Sequence, residues 1–328
     1  MDPLVFEPYL RPQLWGQRRL GDMFGKTLPA SGTPYGESWE ISAHPHHVSR
    51  VAEGPLKGRL LTDLCHELPK QIFGSLTPPD RFPLLIKLLD CDERLSIQVH
   101  PTDEMAARLA PGEMGKTEAW VMLAAEPTAR IYAGLLPGIT RSELEKHLAK
   151  GTVDRCLHSF TPKVGDCVFL PAGTVHAVGG GVVIAEVQQT SDATFRLFDW
   201  NRLGQDGKPR TLHIEQALAS IDWKRGPVEP VNGAPIPDCP CGERLVRCAY
   251  FTMDRYRLDR PLVNPYGGRM SIWIVLDGAA ELTASESYRR SFRAGETVLI
   301  PASAEACSWK SETGAELLGV AIPVAADL

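Results

Sequence analysis

Residues 165–181 read GDCVFLPAGTVHAVGGG, and residues 295–306 read GETVLIPASAEA. Both segments contain a glycine, an apolar run and then a proline at the same spacing, which predicts a turn, a strand and a second turn. Two copies of this frame, 130 residues apart, predict a protein with two similar β-rich lobes. The first copy continues to His176, whereas the second has Ala306 at the matching position. Only the first lobe can therefore use an imidazole there.

The strand pattern extends to both sides of the repeat. In GESWEIS, Trp39 and Ile41 alternate with polar neighbours, which predicts a half-buried strand. SIWIVLDGAAELTA, at 271–284, predicts a hairpin that turns at Asp277 and Gly278. Most segments after residue 164 are short, β-branched and bounded by Gly or Pro, which is typical of a β-sandwich or barrel.

Two segments have helical spacing instead. Leucines between residues 60 and 68 recur at intervals of three and four, as on one face of a helix. The segment 140–160 begins with Thr140 and Ser142, either of which can cap a helix. We therefore expect a mainly β protein with a small helical portion.

The composition describes a globular protein without an affinity for polyanions. Of 328 residues, 43% are apolar, and 35 basic against 40 acidic residues give a net charge of −5. This balance favours neither nucleic acid nor an anionic membrane as a partner. The first residues, MDPLVFEPYLRPQLWG, lack the apolar core of a secretory signal. We expect a cytoplasmic location, with the eight scattered cysteines as free thiols.

Three short segments carry most of the candidate metal ligands. LSIQVHPTDE offers Gln98 and His100, GKTEAWVML offers Lys116 and Glu118, and PAGTVHAVGGG offers His176. Residues two apart on a strand share a face, and two imidazoles, a carboxylate and an amide oxygen are a plausible zinc site. Any one of these histidines alone is more often a hydrogen-bonded core residue. The histidines at 44–47 and the cysteines at 239–248 are weaker candidates, because they lie in proline-broken segments with irregular spacing.

Four segments, SIQVHP, GKTEAW, LPAGTVHA and SDATFRLFDW, resemble in order and spacing the signature segments of type I phosphomannose isomerases. The WG pair at 15–16 and GESWEIS fit as well, so the resemblance covers residues 5–215. It implies a zinc-dependent cupin with two jelly-roll β-barrel lobes that interconverts mannose 6-phosphate and fructose 6-phosphate. Only 58 positions separate Glu118 from His176, which resembles the short bacterial branch and not the eukaryotic branch with its helical insertion.

The resemblance also implies roles for individual residues. The catalytic arginine falls on Arg196 and a catalytic lysine on Lys116, while Ser96 and Lys87 resemble positions that face the sugar phosphate. Glu186 follows His176 on the next strand and is a candidate base or substrate contact. One zinc per chain is expected, and its implied ligands are the set reached above from strand geometry: Gln98, His100, Glu118 and His176.

The implied roles define an expected division of the chain. A metal-binding catalytic lobe with helical segments is expected at 1–230 and a degenerate lobe without metal at 242–328. GPVEPVNGAPIPDCPC, at 226–241, is the predicted linker. The second lobe contains no histidine, because the last one in the chain is His213. Apolar side chains are expected to fill its interior: Ile272, Ile274, Val298 and Ile300.

Two other functions stay open at this point. A cupin oxygenase would hold iron with similar ligands, although a glutamine two residues before His100 is against it. A sugar-binding cupin without catalysis would not need Lys116 and Arg196 beside a complete ligand set.

Overall fold

The structure, a computed structural model, describes residues 1–29, 32–204, 207–285, 288–304 and 306–324. It is mainly β with a small helical portion, as predicted. Its strands up to residue 198 are β1 (Tyr9–Gln17), β2 (Tyr35–Ile41), β3 (Ala43–His44), β4 (His47–Val48), β5 (Leu84–Cys91), β6 (Ile97–Val99), β7 (Glu118–Ala125), β8 (Ile131–Leu135), β9 (Leu157–Phe160), β10 (Cys167–Leu170), β11 (His176–Val178), β12 (Val182–Gln189) and β13 (Phe195–Phe198). The later strands are β14 (Ala234–Ile236), β15 (Cys239–Arg247), β16 (Thr252–Arg257), β17 (Leu262–Val263), β18 (Ser271–Ala284), β19 (Tyr288–Arg293), β20 (Thr297–Ile300), β21 (Ser308–Lys310) and β22 (Ala315–Ala321). The helices are α1 (Arg19–Phe24), α2 (Leu61–Glu67), α3 (Pro69–Phe73), α4 (Asp103–Leu109), α5 (Arg141–Lys150) and α6 (Ile214–Ser220), with a 3₁₀ turn at Val153–Cys156.

The first lobe consists of two antiparallel sheets that pack against each other. One sheet has the strand order β1-β2-β5-β12-β7-β10, and the other has the order β13-β6-β11-β8-β9. Trp120 and Ile184 from the first sheet share an apolar core with Ile131 and Val178 from the second. The first lobe is therefore the predicted sandwich, and its inner faces enclose both a core and a cavity.

The repeated frame is present in both lobes. In the first lobe, β10 leads through the turn at Gly173, whose φ is +87°, to His176 at the start of β11. In the second lobe, β20 leads to Ala306, which has a φ of +48° and lies outside a strand. The second copy thus keeps the strand before the proline but not the strand position that His176 has in the first.

The predicted hairpin at 271–284 is wrong, because Ser271–Ala284 is one continuous strand, β18. A two-residue type I′ turn needs a positive φ at both central residues, and here Gly278 has one (+73°) whereas Asp277 does not. The strand instead bends at a bulge between Val275 and Asp277. It pairs with β20 before the bulge and with β19 after it.

Three smaller expectations also change. All seven residues of β2 are buried, because this strand lies between β1 and β5 and is covered on both faces. The helix at 140–160 stops earlier than predicted. Thr140 caps α5 with a full capping box, Gly151 ends it with a φ of +65°, and the chain continues into β9. Within the predicted linker, residues 234–236 and 239–241 are already strand.

The second lobe is a nine-stranded sheet that packs on the first lobe. Ile272 and Ile274 lie in an apolar cluster with Leu84 and Ile86 of the first lobe, so they do not fill the second lobe's interior as predicted. Before the bulge in β18 the odd-numbered Trp273 and Val275 point inward instead, and after it the even-numbered Ala280, Leu282 and Ala284 do. Val298 and Ile300 do lie inside, together with buried tryptophan, tyrosine and phenylalanine side chains.

The interior of the second lobe is also not purely apolar. Asp254 is buried there and accepts hydrogen bonds from Tyr266 Oη, at 2.8 Å, and from Arg244, at 2.8 and 3.0 Å. At the amino end of the chain, Leu4 pairs with Leu299 through two backbone hydrogen bonds of 2.8 and 2.9 Å. The first residues thus join the sheet of the second lobe.

Candidate active site

The register of the two sheets of the first lobe brings the predicted site residues into two facing rows. In the five-stranded sheet, Gln98 on β6 lies opposite Arg196 on β13 and opposite His176 on β11. In the six-stranded sheet, Glu186 on β12 lies opposite Lys87 on β5 and Trp120 on β7. Side chains from both rows point into the space between the sheets and line one cavity.

His100, Glu118 and His176 form a buried group at the base of this space. Their ligand atoms all lie within 4.8 Å of one another, and each side chain is at most 2% exposed. His100 Nε2 is 3.4 Å from Glu118 Oε2, and His176 Nε2 is 3.3 Å from Oε1. Within the described ranges, this is the only group of three or more such residues close enough together to hold one ion. The histidines at 44–47 and the cysteines at 239–248 do not form one.

The protonation of the two imidazoles suits a metal. His100 Nδ1 is 2.9 Å from the carbonyl of Ala193, and His176 Nδ1 is 2.9 Å from the carbonyl of Thr174. A carbonyl accepts only, so each Nδ1 carries the hydrogen and each Nε2 presents a lone pair to Glu118. Each Nε2 can therefore bind a metal; His100 Nε2 lies 3.2 Å from Lys116 Nζ, and His176 Nε2 lies 3.3 Å from Gln98 Nε2.

Glu118 leads to the same conclusion. Both of its carboxylate oxygens are buried, and no described residue donates a well-directed hydrogen bond to either, although Lys116 Nζ lies 2.9 Å from Oε2. A buried carboxylate without hydrogen bonds is costly. The donor set of two imidazoles and a carboxylate therefore fits a divalent metal.

The charges around the group agree with this reading. Burial and the positive charge of Lys116 lower the pKa of His100 to about 4, and burial lowers the pKa of His176. Both rings are thus neutral at pH 7, as metal ligation requires. Burial alone would raise the pKa of Glu118, but the charge of Lys116 holds it well below its usual range. Burial likewise disfavours the charged form of Lys116, but Glu118 and Glu186 outweigh it and raise its pKa.

Gln98 lies beside this group, and the nitrogen of its side-chain amide, not the oxygen, faces it. Its Nε2 is 3.3 Å from His176 Nε2, while its Oε1 accepts a hydrogen bond of 3.2 Å from Ser96 Oγ. Rotation of the amide by half a turn exchanges the two atoms and directs Oε1 toward the metal position. Ser96 also accepts a 3.3 Å hydrogen bond from Arg196 Nε, so the serine connects the arginine to the ligand row.

Lys87 and Glu186 form a buried pair on the opposite wall. Lys87 Nζ lies 3.1 Å from Glu186 Oε2 and donates a 2.6 Å hydrogen bond to Gln188 Oε1. Trp120 Nε1 donates to Glu186 Oε1 at 3.1 Å, which fixes the carboxylate plane. Lys87 also lies over the ring of Trp39, 5.4 Å from its centroid. Both residues are thus held in place at the cavity wall.

The cavity itself has a volume of about 290 Å³ and is lined mostly by polar and charged side chains. Among its lining residues are six of the nine predicted site residues, while the other three, His100, Glu118 and His176, are buried and do not line it. Sequence reasoning missed several others. Some of these lie within the segments that carry the family resemblance and could have been found there: Trp15, Glu37, Trp120 and Asp192. Arg11 and Arg210 lie outside those segments, and no sequence motif indicated them. The missed lining residues are Arg11, Gln13, Trp15, Glu37, Leu89, Leu95, Trp120, Asp192, Thr194 and Arg210.

The fold and this site define a class: an antiparallel β protein with a polar cavity next to a buried group that could hold a metal ion. Residues 5–148 match the family "Phosphomannose isomerase type I, catalytic domain". The chain is 36% identical over 301 residues to mannose-6-phosphate isomerase ManA of Bacillus subtilis, covering 92% of this chain and 93% of that protein. It is 34% identical over 321 residues to a mannose-6-phosphate isomerase of Streptococcus mutans, covering 97% of each.

A solved structure agrees with these matches. The crystal structure of a mannose 6-phosphate isomerase from Bacillus subtilis has a TM-score of 0.89 at 32% sequence identity and covers 98% of this chain and 100% of that one. The chain belongs to the type I phosphomannose isomerase family. None of its described helices is long and apolar enough to cross a membrane.

Proposed function

We propose that the protein is a zinc-dependent mannose-6-phosphate isomerase that interconverts mannose 6-phosphate and fructose 6-phosphate. Its family supports both the activity and a sugar phosphate as the substrate. The observation that carries the metal is the buried group of His100, Glu118 and His176 beneath a polar cavity. All of these residues lie within 1–230, which supports that range as the catalytic lobe and 242–328 as the lobe without metal.

Zinc suits the donor set. We propose His100, Glu118 and His176 as three ligands and Gln98, with its amide rotated, as the fourth, with one zinc per chain. Zinc accepts imidazole nitrogen and carboxylate oxygen, and catalytic zinc sites can expand to five ligands, which would admit a substrate oxygen beside these four residues. When bound, it would act as a Lewis acid that polarises a sugar oxygen. Iron uses a similar set, so metal analysis is part of the test.

The cations of the cavity suit an anionic substrate. Arg196, Lys87 and Ser96 are proposed to bind the phosphorylated sugar, because a forked guanidinium and an ammonium both bind phosphate oxygens. Arg196 also stays charged, although burial and the nearby charge of Arg210 lower its pKa. Lys116 donates a hydrogen bond toward the sugar oxygen that becomes negative, which stabilises the enediol(ate).

Isomerisation moves one proton between adjacent carbons of the open-chain sugar. We propose Glu186 as the group that takes this proton from C2 of the aldose and returns it to C1 of the ketose. Two contacts support the proposal. Trp120 Nε1 fixes Oε1, and Oε2 accepts no well-directed hydrogen bond from a described residue. Lys87, 3.1 Å away, stabilises the carboxylate form that takes the proton from C2 and that is restored when the proton is delivered to C1.

The location of the protein is a separate part of the proposal. All eight cysteines have free thiols. Unpaired thiols of this number are typical of a reducing compartment, which supports a cytoplasmic location.

The test is a coupled assay for fructose 6-phosphate after removal of metal with a chelator and addition of Zn²⁺. We expect turnover only after zinc is restored, with one zinc per chain by metal analysis. Glu186→Gln should retain zinc and lose most turnover. Zinc-loaded protein that forms no fructose 6-phosphate would overturn the activity. Stoichiometric iron in the purified protein, with oxygen consumption, would indicate an oxygenase instead.

A further inference from the structure

The segment Gly115–Lys116–Thr117 directly precedes Glu118. Hydrogen bonds from its backbone amides to side chains outside the segment hold it in place. Gly115 N donates to Asp103 Oδ1 at 2.9 Å, and Thr117 N donates to Gln189 Oε1 at 2.9 Å. All three residues of the segment are buried. Together with the backbone hydrogen bonds from Lys116 N to the Pro101 carbonyl, at 3.0 Å, and from Gln189 N to the Thr117 carbonyl, at 3.2 Å, these bonds fix the path of the chain just before the first residue of β7.

Asp103 joins the two bonds into one network. Its Oδ1 also accepts from Gln189 Nε2 at 3.1 Å, so the glutamine that holds Thr117 is itself held by the aspartate. The fit is close, because a Cβ on Gly115 would lie 2.5 Å from the backbone N of Asp103. The segment thus packs directly on the first residue of α4, and Asp103 is one of the residues that hold it in place.

Tyr250 connects the second lobe to this network. Tyr250 lies between β15 and β16, and its hydroxyl donates a 2.7 Å hydrogen bond to Asp103 Oδ2. The distance is short, as expected for a charge-assisted bond to a carboxylate. With Oδ1 taken by Gly115 and Gln189, Tyr250 occupies the other oxygen and sets the rotation of the carboxylate.

We infer that Tyr250 is a positioning residue by which the second lobe holds Lys116 and Glu118 in place through Asp103. The inference rests on the roles proposed above for Lys116 and Glu118. The physical reason is that Asp103 carries no other hydrogen bond on Oδ2 that would fix its rotation in the described part of the chain. Partners one bond beyond a ligand tune metal affinity and activity by fixing the ligand's orientation.

The experiment compares Tyr250→Phe with Tyr288→Phe. Tyr288 is also in the second lobe, but its buried hydroxyl has no hydrogen-bond partner among the described residues. Zn²⁺ affinity is measured by competition with a chromogenic chelator, which does not depend on turnover. We expect Tyr250→Phe to bind Zn²⁺ about threefold to tenfold more weakly, less than for a direct partner of a ligand, and Tyr288→Phe to bind it like the unchanged protein.

Asp103 provides the rescue arm. Asp103→Ala should weaken Zn²⁺ binding at least as much as Tyr250→Phe, and Asp103→Asn should recover most of the loss, since an amide oxygen still accepts from Gly115 and Gln189. In active protein, kcat should fall while KM changes less than twofold. Unchanged Zn²⁺ affinity and kcat in Tyr250→Phe, even with a lowered Tm, would overturn the inference. An unchanged protein that binds Zn²⁺ but does not isomerise the sugar would refute the proposed function alone, because the affinity measurement still tests Tyr250.

Discussion

Replacing His176 by Ala removes one imidazole from a buried group of three ligands. Zinc in small four-ligand sites is bound with about 10–16 kcal/mol of apparent free energy, so one ligand contributes about 3 kcal/mol. At about 1.4 kcal/mol for each factor of ten, the affinity for Zn²⁺ should fall about 10²-fold. The loss should be close to this value, because His176 is 1% exposed and neutral at pH 7 and thus competes with neither water nor a proton.

The assay measures zinc per chain after dialysis against a weak chelator, and turnover at increasing zinc. His176→Ala should lose most of its zinc, and excess Zn²⁺ should restore only part of the turnover, since Glu118 and His100 still bind weakly. His66→Ala, on the exposed face of α2, is the matched control and should behave like the unchanged protein. If dialysed His176→Ala kept one zinc per chain and full turnover, this histidine would not be a ligand and the site would need to be placed elsewhere.

Three further changes test other parts of the structure. Arg196→Ala should keep its zinc and lower kcat about 10²-fold or more, because the guanidinium acts on substrate charge; loss of zinc would place the arginine next to the metal instead. The His100→Ala/His176→Ala double variant should contain no zinc by metal analysis, and one zinc surviving per chain would reveal a second site. Asp199→Asn should lower stability by about 2 kcal/mol at pH 7. Burial alone would raise the pKa of Asp199, but hydrogen bonds from two arginines lower it. A carboxyl group whose pKa is lower in the folded state than in the unfolded chain stabilises the fold at pH values above its unfolded pKa. This stabilisation is lost as the pH falls through the folded-state pKa. Thermal melts of the two proteins should therefore converge below pH 4. An equal difference at pH 3 and pH 7 would refute this ion-pair account.

The proximity of His100, Glu118 and His176 could be expected from the sequence in part, because strand geometry is local. A spacing of two residues places Gln98 and His100 on one side of the chain, and the repeat places His176 at the start of its strand. The pairing of β6 with β11 and β13 was not local, so the alignment of Gln98 with both His176 and Arg196 became visible only in the sheet.

The errors have a common physical origin in tertiary context. Asp277 and Gly278 form an acceptable turn sequence, but they pair with Glu316 and Ala315 of β22, and this long-range pairing favours one bent strand over a hairpin. Ile272 and Ile274 were assigned to the right kind of environment, a buried one, but to the wrong side of the sheet. When both faces of a strand are buried, the alternating pattern separates the residues into two faces but does not indicate which face packs against which lobe.

The pairing of Leu4 with Leu299 has a consequence for how the chain is made. A ribosome releases the amino-terminal segment first, yet the strand that receives it is synthesised almost last. Until then, Leu4 and Phe6 lack the second-lobe part of the cluster that buries them in the finished protein. The apolar amino-terminal end of the first lobe therefore stays exposed until the second lobe has been synthesised. In a fragment that stops near residue 233, this end would remain exposed. Such a fragment should collect in inclusion bodies, whereas the whole chain closes on itself once its last strands emerge.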